Sequence, residues 1–523
     1  MANIIPRPAF CKEEDKKIWF SKKTVISGEF SEVARLFENL IPEAQNAEAN
    51  NLTFIIDKDI AEEGYKIICE NGDINIFCSD KAGALYGFMT LVQLAAGNDS
   101  FNSVVINDAP KYAWRGFMLD CSRHFWSMDK LKQILDYMAS IKMNVFHWHL
   151  ADDQGWRIEI KKYPLLTEKG AIRRGTQFSV VHKYYEGYTY DKGEYGRGLF
   201  YTQDDAREIV AYAAERNIMV IPEIDVPGHA TAAIACYPEI SCSGKEVEVE
   251  PHFGIFKNNL CCAKEASYTF IKTVIDELCE IFPAPYFHIG GDEVESEPWD
   301  NCPDCQALMK KEGLDDHVAL HGYFNNILVA HLKEKGKRAI GWNEIISDNM
   351  DQSAIPQVWT TRGADKAIEW SQTRGPVILT QYEYFYSDMA YSVIPLSKMY
   401  NYSSYFEGFE DENILGVEMP QWCEYIPNDN KFDFQTFVRL LAVSEIGWTD
   451  VRNKHYENFE SRVEAMRPYF KSIGINLAPK YIYCGNTVTG AENMTEAVRK
   501  EKGRYIWSRN PNYEFELLDA YKF

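Results

Sequence analysis

The sequence has no run of 18 or more apolar residues, so nothing in it reads as a membrane-spanning helix, which needs about 20. The opening Met1-Ala-Asn-Ile-Ile-Pro6 has neither the charged nor the apolar region of a signal peptide. The expected compartment is the cytoplasm, or an exported one if a leader has been removed. Positive charge is in short supply: 55 Lys and Arg against 77 Asp and Glu give a net charge of −22. That balance argues against nucleic acid or an anionic membrane as partner. The 13 cysteines are odd in number and show no repeating spacing. Cys302-Pro-Asp-Cys305 is the single Cys-x-x-Cys, with no second pair or histidine cluster at zinc spacing. It reads as two thiols at a helix start, so no metal and no cofactor are expected. A reducing compartment suits this usage better than a disulfide framework.

What is present is a long chain rich in rings. With 523 residues, 46% apolar and 14% aromatic, it can bury a large core and divides most simply into two domains. The 12 Trp and 31 Tyr suit stacking on sugar rings, although most aromatic residues in any protein are core.

Residues 1–110 read as a small α+β domain. Leu52–Ile56, Gly64–Cys69 and Ile74–Phe77 have strand character, the last two joined through Asn71-Gly72-Asp73, a strong hairpin signal. Ala82–Ala95 places Leu85, Phe88, Met89 and Val92 at helical spacing, as in an amphipathic helix. From Trp114 the pattern changes to strand-then-helix units. Eight candidate strands follow: Gly116–Asp120, Asn144–Leu150, Met219–Asp225, Tyr286–Gly290, Arg338–Trp342, Ile355–Trp359, Val377–Thr380 and Gly416–Trp422. Ser127–Lys142 reads as a helix between two of them, and Thr202-Gln-Asp-Asp205 has capping-box spacing before another. Eight alternating units predict an α/β fold, a (β/α)8 TIM barrel over residues 111–477 behind the small α+β domain. Residues 478–523, with Trp507, Tyr513 and Tyr521, form an extension that could pack on the barrel or carry self-association as a homodimer. Met419-Pro-Gln421 puts a proline in the last strand, where it costs a ladder bond and blurs the strand's limits.

In such a barrel the functional groups gather where the strands end. Those ends carry Asp120 with Arg123-His124, His147-Trp-His149 with Asp152-Asp153, Glu223, Asp225 and His229, then Trp342-Asn-Glu344, Trp359, Tyr384–Asp388 and Trp422-Cys-Glu424. The stretch at the centre is His288-Ile-Gly-Gly-Asp-Glu293. Its glycines remove side chains where something must come close to the backbone. Asp292 and Glu293 are adjacent, so on an extended chain they point to different sides. They are then poorly placed to act as the usual acid and nucleophile, whose carboxyls flank a bond from about 5 Å apart. The alternative is that the pair only caps the next helix.

Arg115-Gly-Phe-Met-Leu-Asp-Cys-Ser-Arg-His124, His147–Arg157, Pro222-Glu-Ile-Asp-Val-Pro-Gly-His229, His288–Glu293 and Gly341-Trp-Asn-Glu344 resemble glycoside hydrolase family 20, the β-N-acetylhexosaminidases. The likeness runs from about residue 3 to 477. It implies substrate-assisted catalysis, an exception to the two-carboxylate scheme. By that resemblance Glu293 is the general acid and then base, while Asp292 holds the substrate's acetamido N–H. Tyr386 bonds the acetamido oxygen, with Tyr382 and Tyr384 as alternatives. Asp152 and His229 form a relay behind Glu293, with Asp153 competing for Asp152's place. Trp342, Trp359 and Trp422 wall the pocket. Arg115, Asp388 and Glu424 grip the outer hydroxyls of the terminal sugar, although Arg115 could instead pair with a buried acid. Burial among the indoles and repulsion from Asp292 would keep Glu293 protonated near neutral pH. The implied activity is exo-acting and retaining, releasing terminal β-GlcNAc or β-GalNAc through an oxazolinium intermediate. The implied partner is an oligosaccharide or glycoconjugate ending in N-acetylhexosamine. A non-catalytic glycan-binding protein on the same scaffold and a disaccharide-releasing family member are the alternatives.

Overall fold

All eight of the predicted barrel runs form strands in the computed structural model. It describes residues 2–483 apart from 46, 47, 49, 71, 178–189, 192, 361–363, 392, 404–407, 410, 425 and 427. The strands are Trp114–Asp120, Val145–His149, Met219–Glu223, Tyr286–His288, Arg338–Trp342, Ile355–Val358, Val377–Leu379 and Ile414–Gln421. Each pairs in parallel with its sequence neighbour, and the last closes onto the first through Gly416 opposite Trp114. Parallel strands covered on both faces read as largely apolar runs, and that is why these segments were legible. The seventh strand reaches only to Leu379, opposite Val417. Pro420 therefore lies where its strand is paired on one side alone, with Met118 of the first strand.

The helices between the strands follow their local signals. Met128–Ser140 is capped by Ser127, whose side chain accepts from the Lys130 amide. Gln203–Glu215 begins with a reciprocal Thr202/Asp205 capping box. Among the described residues no helix is long and apolar enough to cross a membrane.

The N-terminal domain is larger in sheet than its sequence suggested. Six strands lie in it, Phe10–Trp19 at one edge and Val25–Gly28 at the other. Phe10–Trp19 reads Phe-Cys-Lys-Glu-Glu-Asp-Lys-Lys-Ile-Trp, too charged to show as a strand, yet charge is what keeps an exposed edge from pairing with other chains. The expected hairpin forms, with Glu70 opposite Asp73 and Gly72 at φ 95°. The helix Lys81–Ala95 departs from expectation: 13 of its residues are buried, so it is a core helix and not an amphipathic one. It is wedged between the sheet and the barrel, where Gln93 donates to the carbonyls of Ile5 and Ser140. Of the expected C-terminal extension, 484–523 lie outside the described residues.

Candidate active site

The fourth barrel strand stops at His288, and Gly290 and Gly291 follow with φ of 68° and 97°. A Cβ on Gly290 would fall 1.8 Å from an oxygen of Asp225. The Asp225 carboxylate uses that space to accept from the Gly291 amide at 3.0 Å. Glu293 itself sits at φ 51°, a left-handed conformation that costs a non-glycine residue about 1–3 kcal/mol and gathers at functional sites. This backbone breaks the alternation expected of an extended chain. Asp292 and Glu293 do not point apart; they face one cavity, at 3.7 and 3.6 Å from the same His229 nitrogen. The helix-cap reading fails as well, since the next helix begins at Glu297 with Ser296 before it.

The cavity has a volume of about 260 Å³. Of the residues singled out in the sequence, Asp152, His229, Asp292, Glu293, Trp359, Tyr386, Asp388, Trp422 and Glu424 all line it. Trp359 and Tyr386 stack at 6.2 Å, and Trp422 is 6.4 Å from Tyr386. The Trp359 indole is held by Glu344, which accepts from its N–H at 2.8 Å. Of the three tyrosines, Tyr386 lines the cavity, whereas Tyr382 and Tyr384 lie outside the lining. Both aspartates offered for the relay touch His229: its Nδ1 is 3.2 Å from Asp152 and 3.1 Å from Asp153.

Arg115 is a correction. It is the second residue of the first strand, at the end of the barrel away from the cavity, and it is fully buried. Its guanidinium pairs with Glu63 of the N-terminal domain at 2.8 Å and donates to the carbonyls of Lys142 and Tyr112. The arginine in the cavity is Arg123, just past the other end of that strand. It bonds Asp152 at 2.7 Å and Asp120 at 3.3 Å and lies 5.3 Å from the Trp422 ring. Counting along the strand from Trp114 would have separated the two arginines. Trp342 is corrected in part: it lies beneath the lining, 5.8 Å from Trp422, with its N–H bonded to Glu223 at 2.9 Å. The wall also includes Phe253, Gly254 and Ile255, from a loop in which the sequence carries no chemical motif. Glu293 is less enclosed than expected, with a third of its side chain exposed.

Below the cavity the barrel interior is polar. Glu223 is shared by His147 (3.1 Å), His149 (2.5 Å) and His288 (2.9 Å), and His149 continues to Asp152 at 3.0 Å. Burial pushes the Asp292 carboxyl up to about 6, and the Glu293 charge adds to the rise. Burial likewise raises Glu344 to about 8 and Glu424 to about 7. For His229 burial works downward, but the carboxylates of Asp152 and Asp292 outweigh it and hold the ring protonated well above the usual range. Burial pushes the Tyr386 phenol far up, so it stays a neutral donor.

One group of side chains away from this cavity has metal-ligand spacing. Sulfurs of Cys242, Cys261, Cys302 and Cys305 all lie within 4.8 Å of one another, so Cys302-x-x-Cys305 is not the isolated thiol pair that its sequence spacing suggested.

A (β/α)8 barrel whose strand ends bring adjacent acids into an indole-walled cavity has the layout of a barrel glycoside hydrolase. Comparison with known proteins sharpens this. The description "Glycosyl hydrolase family 20, catalytic domain" matches residues 112–451, and domain 2 of the same family matches residues 1–109. The chain belongs to glycosyl hydrolase family 20. It is similar to a β-hexosaminidase of Porphyromonas gingivalis, 35% identical over 517 residues, covering 91% of this chain and 64% of that protein. A β-hexosaminidase of Vibrio furnissii is 35% identical over 407 residues, covering 74% of this chain and 65% of that protein. The chain thus spans slightly under two thirds of each. Among solved structures, the β-N-acetylhexosaminidase of Bacteroides fragilis superimposes with a TM-score of 0.79 at 30% identity, covering 91% of this chain and 97% of that one. The exo-β-N-acetylglucosaminidase of Vibrio harveyi, solved with N-acetylglucosamine, gives 0.77 at 30% identity, covering 91% and 78%.

Proposed function

We propose that the chain is an exo-acting, retaining β-N-acetylhexosaminidase that removes terminal β-GlcNAc or β-GalNAc by substrate-assisted catalysis. The observation that carries this reading is the placement of Asp292, Glu293 and Tyr386 on one cavity. Asp292 accepts the acetamido N–H and Tyr386 donates to the acetamido oxygen, aiming that oxygen at the anomeric carbon. An internal nucleophile so oriented has an effective molarity on the order of 10⁵ M or more. Glu293 gives its proton to the glycosidic oxygen as the anomeric C–O bond breaks and the C–O bond to the acetamido oxygen forms. Water then attacks the anomeric carbon of the oxazolinium ion and returns a proton to Glu293. The acetamide reopens, and the configuration is retained.

His229, held protonated by Asp152 and Asp153, presents Nε2 to both acids and steadies their charge. Arg123, Asp388 and Glu424 hold the outer hydroxyls, and Trp422 with Trp359 packs on the ring and the acetamido methyl. A cavity of about 260 Å³ is below the roughly 300–1,000 Å³ of common ligand sites, which favours one terminal sugar over a disaccharide.

The test is a panel of aryl β-glycosides of GlcNAc, GalNAc and glucose, with the anomer of the released sugar read by NMR. The expected result is hydrolysis of the acetamido sugars with retention and no turnover of the glucoside. Binding of GlcNAc without release of product would replace this reading with a glycan-binding protein. Release of intact disaccharide would move it to the sister activity.

A further inference from the structure

We propose that Cys242, Cys261, Cys302 and Cys305 form a tetrathiolate site for one divalent transition metal, zinc or iron, which clamps the two loops beside the active site. The sulfur separations are 3.8 Å between Cys242 and Cys305, 3.6 Å between Cys261 and Cys305, and 4.0 Å between Cys261 and Cys302. Metal–sulfur bonds of about 2.3 Å in a tetrahedron put the sulfurs ~3.8 Å apart. A disulfide would need about 2.05 Å, so the cluster has the spacing of shared coordination and not of pairwise bonding. Cys261, Cys302 and Cys305 are buried, and only Cys242 reaches partly to solvent.

The backbone supports two pairs of ligands. Cys302 is the N-cap of the helix Pro303–Glu312 and Cys305 lies in its first turn. Cys242 and Cys261 flank an isolated bridge between Ser241 and Leu260, and the Cys261 amide donates to the Ile240 carbonyl at 2.9 Å. The chain between them carries Phe253, Gly254 and Ile255 to the cavity wall. The other pair follows Glu293 on the segment that leaves the cavity. Trp299 already crosses between these loops, donating to the Leu260 carbonyl at 3.0 Å. A metal here would fix the base of the wall loop to the strand exit that presents the acid. Binding needs all four thiols deprotonated, so folding and loading are coupled.

The proposal stands apart from the sugar chemistry, and its test does not use activity. The full chain, purified under reducing conditions without a metal-affinity resin, should contain one zinc or one iron per chain by elemental analysis. A mercurial reagent should release that metal, and Co²⁺ exchanged into the site should show the intense visible bands of tetrahedral cobalt tetrathiolate. Cys242→Ser with Cys261→Ser should lose metal and melt at lower temperature. Should those variants fail to fold, the metal released from the wild-type chain still decides. The proposal is overturned by a folded chain with no bound metal that takes up neither Zn²⁺ nor Co²⁺. Two disulfides among these cysteines under the same reducing conditions would overturn it equally.

Discussion

Arg115 and Arg123 belong to the same strand segment yet sit in opposite circumstances. At the N-terminal end, Arg115 meets Glu63, and Lys142 meets Asp108 at 3.1 Å and the Tyr65 hydroxyl at 2.7 Å. Tyr65 donates onward to Asp108, and so does the Trp448 indole. Buried charges there are paired and hydrogen-bonded, as a structural seam between domains requires. At the other end, His229 Nε2, Asp292 Oδ1, Asp225 Oδ2 and Glu424 Oε2 are buried without a hydrogen bond that meets the usual geometry. Unsatisfied buried groups are rare enough that a cluster of them marks a place kept for a ligand. One end of the barrel is closed by its own side chains and the other is left as a polar cavity.

The sharpest way to break this contrast is at the open end. Glu293→Gln and Asp292→Asn should each lower kcat on a natural disaccharide by about 10²–10⁴-fold, with the melting temperature unchanged. Initial rates and a thermal melt on the same preparations decide it. The two arginines should then differ in the activity of the folded fraction. Arg115→Met should cost about 3–5 kcal/mol of stability in denaturant titration and leave kcat/KM of the folded fraction intact. Arg123→Met should lower kcat/KM roughly ten- to hundred-fold, the worth of a charge-assisted bond of about 1.5–3 kcal/mol.

A third effect is pH-dependent. In the proposed mechanism Asp292 accepts the acetamido N–H as a carboxylate, and its carboxyl is raised to about 6. A pH–rate profile should show kcat/KM falling as pH drops through about 6, with Asp292→Asn removing that limb from the residual rate. A fourth effect concerns stability. Glu344 is raised to about 8 in the folded chain, above its unfolded value of about 4.3. Its contribution is fully present below the unfolded value and is lost as pH rises through about 8. Melting temperatures at about pH 5 and pH 9 should therefore converge in Glu344→Gln relative to the parent.

The barrel was legible because each buried strand is a short apolar run ended by a functional residue, a pattern local enough to read in one dimension. The cavity was legible for the same reason: ten of its residues follow strands or sit in strand-end motifs. Position along a strand was harder. Arg115 and Arg123 share one motif, and only the strand's start at Trp114 tells which end each occupies. The direction of Asp292 and Glu293 depended on three departures from extended backbone within four residues, at Gly290, Gly291 and Glu293. The glycines hinted at two of these; nothing in a glutamate announces the third. The four-cysteine cluster was invisible because its members come from separate loops, and tertiary proximity leaves no spacing rule in the sequence.

The left-handed backbone at Glu293 also decides which substitutions there can be interpreted. Glycine would delete the carboxyl and, in the same stroke, relieve a conformation that glycine adopts freely. Such a variant would be more robust to heat while chemically silent, and an engineer could mistake it for a stability–activity trade-off. Glutamine retains the Cβ and therefore the tension, so it isolates the acidic proton as the one thing removed.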